Sequence, residues 1–125
     1  MLGVPWIDAQ DTMGVTTVTL PNGIGLIEVK GSLLSEEEAA ELRGALATFA
    51  ALRWKRLLID FSETTYLNSS AIGVLVGAHT SYAKREWQLK LCTMHRHVHA
   101  IFATTNLLKI FSVYDTREEA MKSFS

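Results

Sequence analysis

The sequence predicts an α/β fold: a mixed, mostly parallel sheet that opens with an antiparallel hairpin and carries about four helices. Three observations lead there. Asn22-Gly23 lies between two β-like runs, and residues that tolerate positive φ at such a place are a strong hairpin signal. Leu57–Phe61 (LLIDF) is a continuous apolar run with one acid, the pattern of a strand covered on both faces. Beyond it, β-like runs alternate with segments of helical period, which implies parallel pairing through right-handed crossovers.

Residues 1–14 lack periodicity and carry Gly3, Pro5 and Gly14; they read as a leader, and 15–125 as a single domain. Val15–Leu20 is rich in β-branched residues and reads as the first strand, Pro21-Asn22-Gly23 as the turn, and Ile24–Lys30 as the second strand. Ser35-Glu36-Glu37-Glu38 is a capping box, in which the serine accepts from a free helix amide while Glu38 reaches back. Three carboxylates there also suit the helix dipole, which explains the acidic run better than a metal site does. Ala39, Leu42, Leu46 and Phe49 follow at helical spacing. Arg53-Trp54-Lys55-Arg56 reads as a solvated basic link to the strand 57–61.

Asn68 or Ser69 then opens a second helix running to about Lys84, with Ile72, Leu75, Val76 and His79 on one face. Gly73 and Gly77 share a side of it, a spacing expected to admit a neighbouring backbone. Gln88–Thr93 is the next strand. Arg96–Thr105 is a short helix with Val98, Ile101 and Phe102 at core spacing, and Ile110–Val113 is the last strand. Thr116-Arg117-Glu118-Glu119 repeats the capping pattern before a final helix with Ala120, Met121 and Phe124 inward. The order is β-β-α-β-α-β-α-β-α, without internal repeats or linkers.

Composition removes several classes of function. The 125 residues fit one domain, and 48% hydrophobic residues can fill a core without a disulfide or metal. A net charge of −1 argues against nucleic acid, whose binding draws on a basic excess, and against a membrane surface. The single cysteine, Cys92, excludes an intramolecular disulfide and suggests a reducing compartment. It reads as a buried strand residue rather than a nucleophile. The N-terminal MLGVPWIDAQ lacks a signal-peptide pattern, and no apolar run approaches the ~18–20 residues of a spanning helix. A cytoplasmic protein is expected.

Candidate chemistry is sparse. No GxGxxG follows a strand and no GxxxxGK[ST] occurs, so no nucleotide cofactor is expected. His95, His97 and His99 straddle a helix start, where only His95 and His99 share a face, and nothing in the segment completes a metal site. Asp60, at the end of a buried strand, stands where open α/β sheets place ligands, near Ser62, Glu63, Thr64, Ser69 and Ser70. A serine hydrolase would need a histidine base and usually a GxSxG turn; neither is present. The chain reads as a protein that is bound, not as an enzyme.

Tyr66-Leu67-Asn68-Ser69-Ser70-Ala71-Ile72-Gly73 is the informative segment. Asn68 is a good N-cap, so Ser69 and Ser70 stand among unpaired amides at the positive end of the helix dipole. A phosphate there would be tolerated by the helix and would add about −1.5 to −2 of charge to a surface a partner could cover. On physics alone, an ordinary capping serine remains the simpler reading.

The run LLIDFSETTYLNSSAIGVLVGAH resembles the core of STAS domains, particularly bacterial anti-sigma factor antagonists. There an apolar strand ends in Asp, and Asp-Ser-Ser/Thr-Gly-Leu-Gly opens a helix. IEVKGSLLSEEEAAELRGAL and HVHAIFATTNLLKIFSVYDTREEAMKSF extend the likeness over residues 15–125. The resemblance implies a STAS-type sandwich and a partner-switching cycle. The unphosphorylated antagonist binds an anti-sigma serine kinase, the kinase phosphorylates it and is released, and a serine phosphatase resets it. On the motif Ser69 matches the phosphorylated serine and Ser70 its neighbour, with Asp60 and Tyr66–Gly73 as the binding surface. Asn68 stands where the family usually has Asp, keeping the capping oxygen but not the charge, and Ala71 stands where Gly is usual. Two alternatives remain: a STAS scaffold or transport-complex subunit that binds without phosphorylation, and a small enzyme or metal protein using Asp60, Ser69 and the histidines. Oligomeric state is not legible.

Overall fold

Asn22 and Gly23 do adopt left-handed backbone, with φ of 69° and 72°. They join β1 (Val15–Leu20) to β2 (Ile24–Leu33), which pair antiparallel from Val15↔Val29 to Leu20↔Ile24. This computed structural model describes residues 14–33 and 35–124; the leader expected over 1–14 lies outside them except for Gly14. β3 (Arg56–Leu67), β4 (Gln88–Cys92) and β5 (Ser112–Tyr114) add in parallel, giving the sheet order β1-β2-β3-β4-β5. The intervening helices are α1 (Glu36–Ala51), α2 (Ser69–Lys84), α3 (Arg96–Thr104) and α4 (Arg117–Ser123).

Strand alternation divides the core between two layers. Ile27, Ile59 and Leu91 face α1, α2 and α3, where Leu42, Leu75 and Phe102 meet them. Ile24, Leu26, Leu58 and Cys92 face the opposite way, onto Ala120 of α4 and the half-buried Met121 and Phe124. Burying a side chain such as Leu42 or Phe49 fully is worth about 1.5–3 kcal/mol, and both are 0% exposed. Gly25 is the close approach in this layer, since a Cβ there would lie 2.7 Å from the Phe49 ring.

Several expectations are corrected. β3 runs on to Leu67 instead of ending at Phe61, and β2 runs to Leu33 instead of Lys30. The polar stretch Ser62–Thr65 looks like a loop in sequence, yet it pairs with the lengthened β2. The pairing shifts twice, between Glu28 and Lys30 and between Gly31 and Ser32. Each time β3 carries one extra residue, a bulge that bends a strand and re-aims its side chains. Buried Thr64 holds this region by donating its hydroxyl to the Val29 carbonyl at 2.6 Å.

The last strand is Ser112–Tyr114 rather than Ile110–Val113, because Ile110 closes a 3₁₀ turn and is 46% exposed. On α2 the buried positions are Ala71, Leu75 and Tyr82, while Ile72, Val76 and His79 flank them half-buried. Gly73 and Gly77 are exposed, with nothing within 4 Å of an added Cβ. They do not admit a neighbouring backbone; they border a shallow groove of about 280 Å³ between α1 and α2. The basic link is only partly solvated, since Trp54 packs edge-on against Phe49 at 5.7 Å and Arg56 begins β3.

Candidate functional site

The site forms where β3 hands over to α2. Leu67, the last strand residue, is 1% exposed and faces the core, while its neighbour Tyr66 is 46% exposed. Asn68 then turns the chain with extended backbone (φ −85°, ψ 176°) and caps the helix. Its Oδ1 accepts from the Ala71 amide at 2.8 Å, and its carbonyl accepts from Ile72 at 3.1 Å. An Asn in this role satisfies one of the four orphan amides of a helix start.

Ser69 takes the first helical position and is exposed. Ser70, half-buried, donates its hydroxyl to a carboxylate oxygen of Glu36 at the start of α1. Ala71 is 0% exposed and lies beneath the surface; Ile72 is half-buried against the core, and Gly73 is open. Of the segment, Tyr66, Ser69 and Gly73 are thus exposed and Asn68, Ser70 and Ile72 half-buried. Leu67 and Ala71, expected from the sequence as contacts, are buried in the core.

Asp60 does not join them. It sits inside β3, opposite Glu28 on one side and Cys92 on the other, and is 3% exposed. One carboxylate oxygen accepts from the Ser62 amide at 2.7 Å. The other meets Arg117, with Nε at 2.9 Å and Nη2 at 2.8 Å, and Arg117 also reaches Glu28 at 2.7 Å. Partial burial works against the Arg117 charge, but the hydrogen bonds and charges of Glu28 and Asp60 outweigh it and hold the guanidinium above its usual range. Asp60 thus pins α4 to the sheet, and the strand end that should have exposed it lies farther on at Leu67.

The other reactive groups are dispersed. His95 Nε2 contacts the Ser62 carbonyl, and His97 and His99 are exposed. Among the described residues no three His, Cys, Asp or Glu side chains are placed to hold a metal. Burial pushes the Cys92 thiol up to about 11, so it is un-ionised near neutrality. No helix among the described residues is long and apolar enough to cross a membrane.

Comparison with known proteins gives this arrangement a family. Residues 16–120 match the STAS domain. The chain belongs to the STAS domain family. It is 25% identical over 99 residues to BtrV of Bordetella bronchiseptica, a proposed anti-sigma factor antagonist, covering 79% of this chain and 85% of that one. It is 28% identical over 81 residues to the anti-sigma-B factor antagonist of Listeria monocytogenes, covering 65% and 71%. The crystal structure of an anti-sigma factor antagonist from Mycobacterium paratuberculosis shares the fold with a TM-score of 0.77 at 22% identity, over 90% of this chain and 96% of that one. The mixed sheet, the opening hairpin and the four helices of this STAS domain are as the sequence predicted.

Proposed function

We propose that this STAS domain is an anti-sigma factor antagonist that binds an anti-sigma serine kinase through the surface around Ser69, and that phosphorylation of Ser69 ends the binding. The supporting observation is the exposed Ser69 hydroxyl at the first position of a helix of 16 residues, with that helix's own cap already supplied by Asn68. The sequence relatives are named as anti-sigma factor antagonists, which supports the antagonist part of this reading.

The chemistry is simple. The kinase moves the γ-phosphoryl of ATP to Ser69 Oγ; the bond to ADP breaks, the O–P bond forms, and the serine proton leaves to a base on the kinase. The phosphate adds about −1.5 to −2 of charge to a surface of mixed character, where Tyr66 and Ile72 supply apolar contact. Covering that charge with a partner would require its desolvation, so affinity falls. The helix itself tolerates the phosphate, because the amides at its start favour an anion. The domain can switch partners without refolding. A serine phosphatase returns Ser69 to the hydroxyl, and the whole cycle runs in the bacterial cytoplasm without a cofactor on this chain.

Intact-mass measurement after incubation with ATP and a candidate anti-sigma serine kinase tests this reading. A single phosphate adduct is expected, absent in Ser69→Ala. An adduct that persists in Ser69→Ala would move the site elsewhere. Stable binding with no adduct would favour the scaffold or transport-complex reading.

A further inference from the structure

The two adjacent serines at the start of α2 are held in unlike surroundings. The Ser69 hydroxyl is exposed and meets no partner among the described residues. The Ser70 hydroxyl is turned toward α1 and donates to Glu36 Oε2. Glu36 is free for this, because the α1 capping box uses Ser35 and Glu38. It is also the nearest acid that α2 obtains, since α2 has none in its own first turn while α1 has three.

We propose that Glu36 decides which serine carries phosphate: it occupies Ser70 and disfavours a phosphate there, leaving Ser69 as the acceptor. This rests on the phosphorylation reading given above. Transfer to Ser70 would replace the hydroxyl proton with a phosphoryl group, removing the hydrogen bond to Glu36. It would also set a dianion against a carboxylate at contact distance, where like charges disfavour the ionised forms. The same contact could instead activate Ser70, because a carboxylate can accept its proton. Charge decides against that, as the incoming phosphoryl group is itself anionic and must approach beside Glu36. Ser69 carries no such neighbour at its hydroxyl, and a phosphate there can take the orphan amides of the first turn. Glu36 is thus a specificity-determining residue contributed by a different helix, 34 positions away from the serine it masks.

The test needs no kinase for its first arm. Phosphoserine is installed during synthesis at position 69 or 70, each with and without E36Q, and the second phosphate pKa is read by ³¹P NMR titration. At 70 it should lie about one unit above its value at 69, and E36Q should remove most of that difference. Equal values at the two positions, or no response to E36Q, would overturn the proposal. In the second arm, S69A and S69A/E36Q are incubated with kinase and ATP. S69A should stay unmodified and the double variant should gain phosphate at Ser70; phosphate on Ser70 in S69A alone would overturn the proposal. If the wild type itself takes no phosphate while the ³¹P difference holds, it is the phosphorylation reading that fails, and the masking of Ser70 by Glu36 stands.

Discussion

The starts of α1 and α2 lie side by side and are finished in opposite ways. At α1, Ser35 Oγ accepts from the Glu38 amide at 3.1 Å, Glu38 returns the bond to the Ser35 amide at 3.1 Å, and three acids fill the first turn. At α2, Asn68 makes one capping bond, no acid follows, and an exposed serine occupies the first position. A helix start carries roughly +0.5 of a charge in orphan amides. α1 is neutralised by its own sequence; α2 is left to borrow Glu36 through Ser70 and otherwise remains open to an anion. The difference separates a helix start neutralised by its own sequence from one whose first-turn amides remain open to an anion.

The largest expected effect lies at the open end. Ser69→Asp should weaken binding to the kinase partner about tenfold or more, roughly 1.4 kcal/mol, because it puts a permanent charge on the covered surface. Thermal stability should change by no more than about 0.5 kcal/mol, since an acid suits this position. Calorimetric binding and thermal denaturation on the same sample check both halves. Unchanged affinity with a large loss of stability would reverse the assignment of the two helix starts.

Removing the caps should give a middle-sized effect of a different kind. Ser35→Ala removes a reciprocal pair and Asn68→Ala a single bond, each costing about 1–2 kcal/mol, or roughly 4 °C in Tm per kcal/mol for a chain of this size. Partner affinity should survive Ser35→Ala and fall in Asn68→Ala, because only Asn68 caps the helix whose first position is Ser69. Equal affinities in the two variants would mean that the α2 start is not the contact surface.

Both helix starts were legible in the sequence for the same reason: a cap acts within three or four residues. Ser35-x-x-Glu38 and Asn68-Ser69-Ser70 are local patterns, and the structure realises each of them. What failed was non-local. Asp60 looked like a strand-end acid because Ser62–Thr65 looked like a loop; the residues that prove otherwise are Lys30–Leu33 of β2, which lengthen the pairing, and Arg117, 57 positions away. Arg117 gave no signal beyond its place in a capping pattern. Glu36 was read only as part of an acidic first turn, because nothing local says that Ser70 will lie beside it. Gly73 and Gly77 misled in the other direction: their spacing was correct, but the side they share faces outward over the groove.

The smallest and most discriminating change makes the open end resemble the closed one. Asn68→Asp keeps an oxygen in place to accept from the Ala71 amide and adds the acid that α2 lacks. The interaction of that charge with the helix start should stabilise the domain by about 0.3–1 kcal/mol at neutral pH and low salt. Its sign with pH is fixed by linkage. The cap lowers the folded-state pKa of the new carboxyl below the unfolded value of about 3.9, so the gain is present above that value and fades as pH falls through the folded pKa. The Tm difference between N68D and the wild type should therefore shrink in acid, and it should also shrink in high salt, where the exposed charge is screened. A gain that ignores both acid and salt would come from backbone or solvation effects of the substitution. The start of α2 would then not be the under-neutralised helix end that the comparison with α1 requires.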